Sequence, residues 1–143
     1  MMGAAHIIEE IRIGESAVRF EPPDILFFSI VGSPDMNDSA KIMDAADHLA
    51  KGRDHLLVIN DIRRSSDFPP EARKYVAERM VPLPVRATAL FGGSFQLRVL
   101  ITLTFKIRDL LRGPAANPTR FCATEAEARA WIDEQRSRLK RAD

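Results

Sequence analysis

The sequence predicts an α/β fold: a single mixed, mainly parallel β-sheet of about five to six strands with about four helices packed on it. Three observations predict it. Residues 25–31, 55–60 and 85–91 are nearly continuous apolar runs, the pattern of strands covered on both faces. Segments with helical periodicity lie between these runs, so successive strands are joined by crossovers, which calls for parallel pairing. The opening residues 7–13 and 17–20, separated by Gly14-Glu15, read instead as a hairpin that adds an antiparallel edge.

The elements follow in order. After Pro22-Pro23 the run 25–31 ends at Gly32. A helix is expected over 39–51, with Asn37, Asp38 or Ser39 placed to cap it. Ile42, Met43, Ala46, Leu49 and Ala50 form its inward stripe, and Gly52 stops it. The strand 55–60 ends at Asp61. Pro69-Pro70 opens a helix to Met80 with Ala72, Val76 and Met80 inward, because proline suits a first helical turn. Pro82 and Pro84 close it. Strand 85–91 turns through Gly92-Gly93-Ser94 into a helix over 94–112, and a short strand at 119–122 precedes the last helix. That helix has the clearest start signal, Thr124 followed by Glu127 at capping-box spacing, with Ala128, Trp131, Ile132 and Leu139 toward the core.

The helix over 94–112 is apolar on more than one side. At about 100° per residue, Val99, Leu100, Leu103, Ile107, Leu110 and Leu111 share one broad face, which is expected to seat the helix on the sheet. Leu97, Ile101 and Phe105 form a second ridge at i, i+4 and i+8. One packed layer does not need both. The ridge is expected to be covered by a second subunit, an apolar ligand or another part of the chain.

A chain of 143 residues is expected to form one domain over 1–143, with residues 1–6 a flexible tail and 136–143 a frayed basic end. Arg136, Arg138, Lys140 and Arg141 there solvate the last helix and suit its macrodipole. A net charge of +1 excludes the electrostatic footprint of a nucleic-acid binder. Cys122 is the only cysteine, so no intramolecular disulfide can form, and a cytoplasmic location is expected. The start Met1-Met2-Gly3-Ala4-Ala5-His6 does not read as a signal peptide. Residues 95–111 are interrupted by Gln96, Arg98, Lys106, Arg108 and Asp109, which disqualifies them as a membrane span.

The order of elements, the loop Asp61-Ile62-Arg63-Arg64 and the ending Arg120-Phe121-Cys122-Ala123-Thr124-Glu125-Ala126-Glu127-Ala128-Arg129-Ala130-Trp131-Ile132 resemble small bacterial STAS-like proteins. These are the single-domain members grouped with anti-sigma-factor antagonists and, more loosely, with the lipid-binding Sec14 type. The resemblance covers most of residues 7–135. It implies a STAS-like fold, self-association and a regulatory role through partner binding. In anti-sigma-factor antagonists a partner kinase phosphorylates a serine at the start of the helix after a central strand. The corresponding place is Ser65-Ser66. The usual Asp-Ser-Ser-Gly-Leu-Gly pattern is absent: two arginines precede these serines and Asp67-Phe68-Pro69-Pro70 follows.

Ligands of open α/β sheets bind at the carboxyl ends of parallel strands. Residues 32–35, 61–68 and 92–94 are expected there. Arg63 and Arg64 can contact a phosphate or carboxylate, while Gly93 and Ser94 turn the backbone and point N–H groups at an anion. The same residues also read as a tight βα turn beside two solvated arginines. Ser65 and Ser66 are phosphoacceptor candidates or ordinary loop serines. His6, His48 and His55 lack metal-ligand spacing, and Asp44 and Asp47 lie with Lys41 and Lys51 on a solvated helix face. Cys122 reads as a buried small hydrophobe. With no nucleophile elbow, P-loop or dinucleotide fingerprint, no catalytic residue, cofactor or metal is expected.

The expected function is a non-enzymatic STAS-like regulatory or protein-interaction module acting as a homodimer, its partner a second copy or another regulatory protein. The alternative is a small apolar-ligand or lipid-binding carrier, in which Leu97, Ile101 and Phe105 line a cavity. An enzyme of unrecognised type stands third.

Overall fold

Strands β1 (Glu9–Ile13), β2 (Ser16–Glu21), β3 (Ile25–Ser29), β4 (Leu56–Asp61), β5 (Val85–Phe91) and β6 (Thr119–Cys122) form one sheet whose spatial order is that of the chain. The computed structural model describes residues 8–113 and 117–142, so the expected tail 1–6 lies outside the described residues. β1, β2 and β3 pair antiparallel, whereas β3, β4, β5 and β6 pair parallel. The helices are α1 (Met36–Ala50), α2 (Pro70–Met80), α3 (Phe95–Arg112) and α4 (Glu125–Ala142).

This order fixes the layers. When neighbouring parallel strands follow one another in sequence, each right-handed crossover puts its helix on the same side. Thus α1, α2 and α3 cover one face, and α4, which follows the last strand, folds back on the other. The central strands are accordingly buried on both faces. Leu26, Val58 and Thr88 form one cross-strand row toward α1–α3, and Phe28, Asn60 and Leu90 the next. Ile25, Leu57 and Ala87, then Phe27, Ile59 and Ala89, face α4. Ala87 and Ala89 are small, and Ala128 and Ile132 of α4 pack onto this face without exposure.

The helix starts are set by local hydrogen bonds. α1 begins three residues before the expected 39, because Asp35 is the cap: its Oδ1 accepts from the Asp38 N–H at 2.7 Å. Ser94 Oγ accepts from the Leu97 N–H at 3.1 Å and opens α3. Thr124 Oγ1 accepts from the Glu127 N–H at 3.2 Å, while Glu127 Oε2 accepts from the Ala123 N–H at 3.0 Å, a capping exchange reaching one residue further back than the usual box.

One expectation about charge is corrected. α4 continues through Ala142, and Arg136 does not solvate a frayed end. Its Nε and Nη2 donate to the carboxylate of buried Asp24 at 3.0 and 2.6 Å, and His55 Nε2 lies 3.0 Å from the same group. Asp44 and Asp47 lie on the exposed face of α1 as expected, and there Arg79 of α2 bonds both and links α2 to α1. Neither pairing shows in the sequence because the partners lie far apart along the chain.

Burial pushes the Asp24 carboxyl up, but the hydrogen bonds from Arg136 and His55 outweigh it and hold the group below its ordinary value of 3.8. A carboxyl depressed in the folded state stabilises the fold above its unfolded pKa, and that contribution is lost as pH falls through the folded value. Arg136→Met is expected to lose about 2–4 kcal/mol at neutral pH by urea denaturation. The gap from the parent protein should close as the pH is lowered below 3.8 and Asp24 protonates in both.

Candidate functional site

α1 comes close to the sheet through Ala45, Ala46 and Ala50, whereas α2 and α3 pack mainly against each other, and α2 also against α1. α2 therefore bridges α1 and α3 above the central strands. Beneath the bridge lies an apolar cavity of about 140 Å³. Leu26 and Phe28 of β3, Val58 of β4, Met43 of α1 and Met80 of α2 wall it. Asn60, Ser65 and Asp67, at the carboxyl end of β4 and in the loop after it, also line it, where α/β sheets take their ligands.

Leu97, Ile101 and Phe105 complete the wall, together with Thr104. The sequence reading of α3 is therefore inverted. The face expected to seat on the sheet points outward, with Val99, Leu103, Ile107, Leu110 and Leu111 all exposed, and the supposed outer ridge is buried with Ile62 and Leu90. The helix start decides this. The Ser94 cap fixes the first turn, and Leu97 then lies against Gly93, so the residues at i+4, i+7, i+8 and i+11 follow it inward. Two of those, Thr104 and Arg108, are polar, which a count of apolar residues cannot anticipate. Thr104 Oγ1 bonds the Leu100 carbonyl at 2.9 Å. Arg108 is 1% exposed, its Nε donates to Asp109 at 3.0 Å, and its guanidinium lies 4.6 Å from the Phe105 ring centre.

The candidate anion site is taken apart by its own neighbours. Arg63 makes a bidentate pair with Asp61 at 3.0 and 2.8 Å, and Arg64 reaches Glu15 at 3.2 Å. Burial pushes the Asp61 carboxyl up, but Arg63 holds it below its ordinary value. Gly92 and Gly93 have φ of +83° and +78°, and a Cβ at either would stand 2.4 Å from Arg63 Cγ or 2.7 Å from Ile62 Cδ1. They are glycines so that the β4–α2 loop can lie on the turn. Of the four residues, Arg63 meets the turn and Arg64 is drawn away from it.

Ser65 Oγ donates to the Ile30 carbonyl at 2.7 Å, and its backbone pairs with Gly32 in an isolated bridge that extends the β3–β4 ladder. Ser66 is exposed, with its N–H donating to the Gly32 carbonyl at 2.9 Å. Cys122 is buried, and burial pushes its thiol above the ordinary value. The third neighbour of the His55–Asp24 pair is Arg136, neither a hydroxyl nor a thiol. Asp67 lies in the segment 61–68 expected at this end, but neither it nor Asn60 stands out in the sequence as a site residue. The available signal was Asn60 itself, a polar residue on the same strand face as Val58, in a strand otherwise apolar from residue 56.

A six-stranded mixed sheet with three helices on one face and a returning fourth on the other is the SpoIIAA-like fold, the STAS type. The chain is similar to the crystal structure of an uncharacterized protein of the DUF3478 family with a SpoIIAA-like fold from Shewanella loihica PV-4. The two superpose with a TM-score of 0.58 over 92% of this chain and 98% of that one, at 13% identity. No family model and no curated protein matches the sequence. Among the described residues, no helix is long and apolar enough to cross a membrane.

Gly93→Ala is expected to cost about 1–3 kcal/mol, because it adds a clash to a positive φ. Gly52→Ala, at φ +78° but with nothing near its Cβ, should cost less; thermal unfolding of the two variants checks the difference.

Proposed function

We propose that the protein is a STAS-like regulatory module that holds a small apolar ligand between its sheet and helices α1–α3. The observation that carries this reading is the orientation of α3, whose ridge Leu97, Ile101 and Phe105 faces a cavity and not solvent. Its volume of about 140 Å³ compares with the roughly 150 Å³ of apolar cavities that bind benzene. Such a space suits a single ring better than a full acyl chain, which narrows the carrier alternative from lipids to small molecules. A ligand there touches the inner side of a helix whose outer side is free to meet a partner, so occupancy can be passed outward. A STAS fold alone does not specify activity, which rests on the site.

The outer face of α3 favours a second, compatible reading. Phe95, Val99, Leu103 and Ile107 recur every four residues, ending at Leu110 and Leu111, and Phe95 and Leu110 are 81% and 85% exposed. A stripe of this length is a surface through which two copies pair about a twofold axis.

Titration of methyl-labelled protein with toluene, followed by NMR, is expected to shift the Val58, Leu97 and Ile101 methyl signals, and Ile101→Trp should abolish the response by filling the space. Unmoved methyl signals at toluene saturation would sink the ligand reading. Light scattering at high micromolar concentration is expected to give twice the chain mass, and the double variant Leu103→Glu, Ile107→Glu the single mass. A parent protein that stays monomeric removes the second reading and leaves the first intact.

A further inference from the structure

Building on that ligand reading, we infer that the cavity selects a small ring bearing an amine and rejects the carboxylate or phosphate of an acidic amphiphile. Among the described residues that line it there is no Lys, Arg or His, and Asp67 is the one Asp or Glu. Asp67 is exposed, its Oδ1 accepts from the Phe68 N–H at 2.8 Å, and no cation among the described residues pairs with it. Two of the nearby arginines are held by carboxylates and none is part of the lining. Arg63 is held by Asp61, Arg64 by Glu15, and Arg73 donates to the Phe68 carbonyl at 2.6 Å. Arg108, one turn beyond Thr104, does not line the cavity; its Nε donates to Asp109, and its two terminal nitrogens are buried behind Phe105 without a hydrogen-bond partner.

An anion brought into this space loses water and finds no cationic side chain in the lining, while Asp67 repels it. A protonated amine meets the reverse. Its ring fills the apolar part, its ammonium stays with Asp67, and Asn60, also in the lining, offers a further polar group. The inner wall carries only hydroxyls among its polar side chains, Ser39, Thr88 and Thr104, so it accepts a neutral ring and gives nothing to a charge.

Isothermal titration with three probes of one ring size tests this: phenethylamine, phenethyl alcohol and phenylacetate. The amine is expected to bind about three- to fivefold more tightly than the alcohol, the gain of an exposed ion pair. Phenylacetate should bind at least about tenfold more weakly than the alcohol. Asp67→Asn, a surface change, should bring the amine level with the alcohol and leave the alcohol unchanged. Phenylacetate binding as well as the alcohol, or an amine whose advantage survives Asp67→Asn, overturns the charge selectivity while the cavity still binds rings. Binding by none of the three overturns the ligand reading itself, and the selectivity falls with it.

Discussion

The three central strands bury both faces, and the helices that cover each side sit on them differently. Toward α4 they present Phe27, Ile59 and Phe91 with Ala87 and Ala89 between them, a surface onto which Ala128 and Ile132 settle closely. Toward the other helices they present Leu26, Phe28, Thr88 and Leu90, and three helices share that side. α1 reaches the sheet through alanines, but α2 rests on its neighbours. Protein interiors pack densely, so a space of this volume under a bridging helix is a departure from the rule, and the structure around it is arranged to keep it.

The arrangement is electrostatic at the periphery. Arg79 joins α2 to Asp44 and Asp47 of α1, which places the bridging helix without help from the strands. The β4–α2 loop is tied to the end of β3 through Ser65 and Gly32 and to the β5–α3 turn through Arg63 and Gly92. On the far face, Arg136 and Arg129 carry α4 to Asp24 and Glu21. Each of these arginines is matched to a carboxylate, and none lines the cavity. The same pairing that locks the helices leaves the cavity without cations.

α3 joins these constraints to function. Its inner face closes the cavity and its outer face presents an apolar stripe, so one helix serves as wall and as surface. Both faces being apolar is what makes the helix ambiguous on a wheel. In the proposed reading it is also what would let a ligand on one side bear on a partner at the other, the physical requirement for a binding module that reports its occupancy.

Much of the fold was legible in the residues. The strand runs, the proline and glycine breaks and the Thr124–Glu127 cap depend on neighbours in sequence, and β5, β6 and α2 lie where the pattern puts them. The STAS-like resemblance agreed with the fold for the same reason, since element order is a sequence property. What the sequence could not determine is what depends on distant partners. Arg136 looked solvated because Asp24 is more than a hundred residues away, and Arg64 looked available because Glu15 is 49 residues away. Periodicity established that α3 has two apolar faces. Only the tertiary structure decided which one is inside, because the Ser94 cap and the Gly92-Gly93 turn fix the helix's rotation, and a rotation has no trace in composition or spacing.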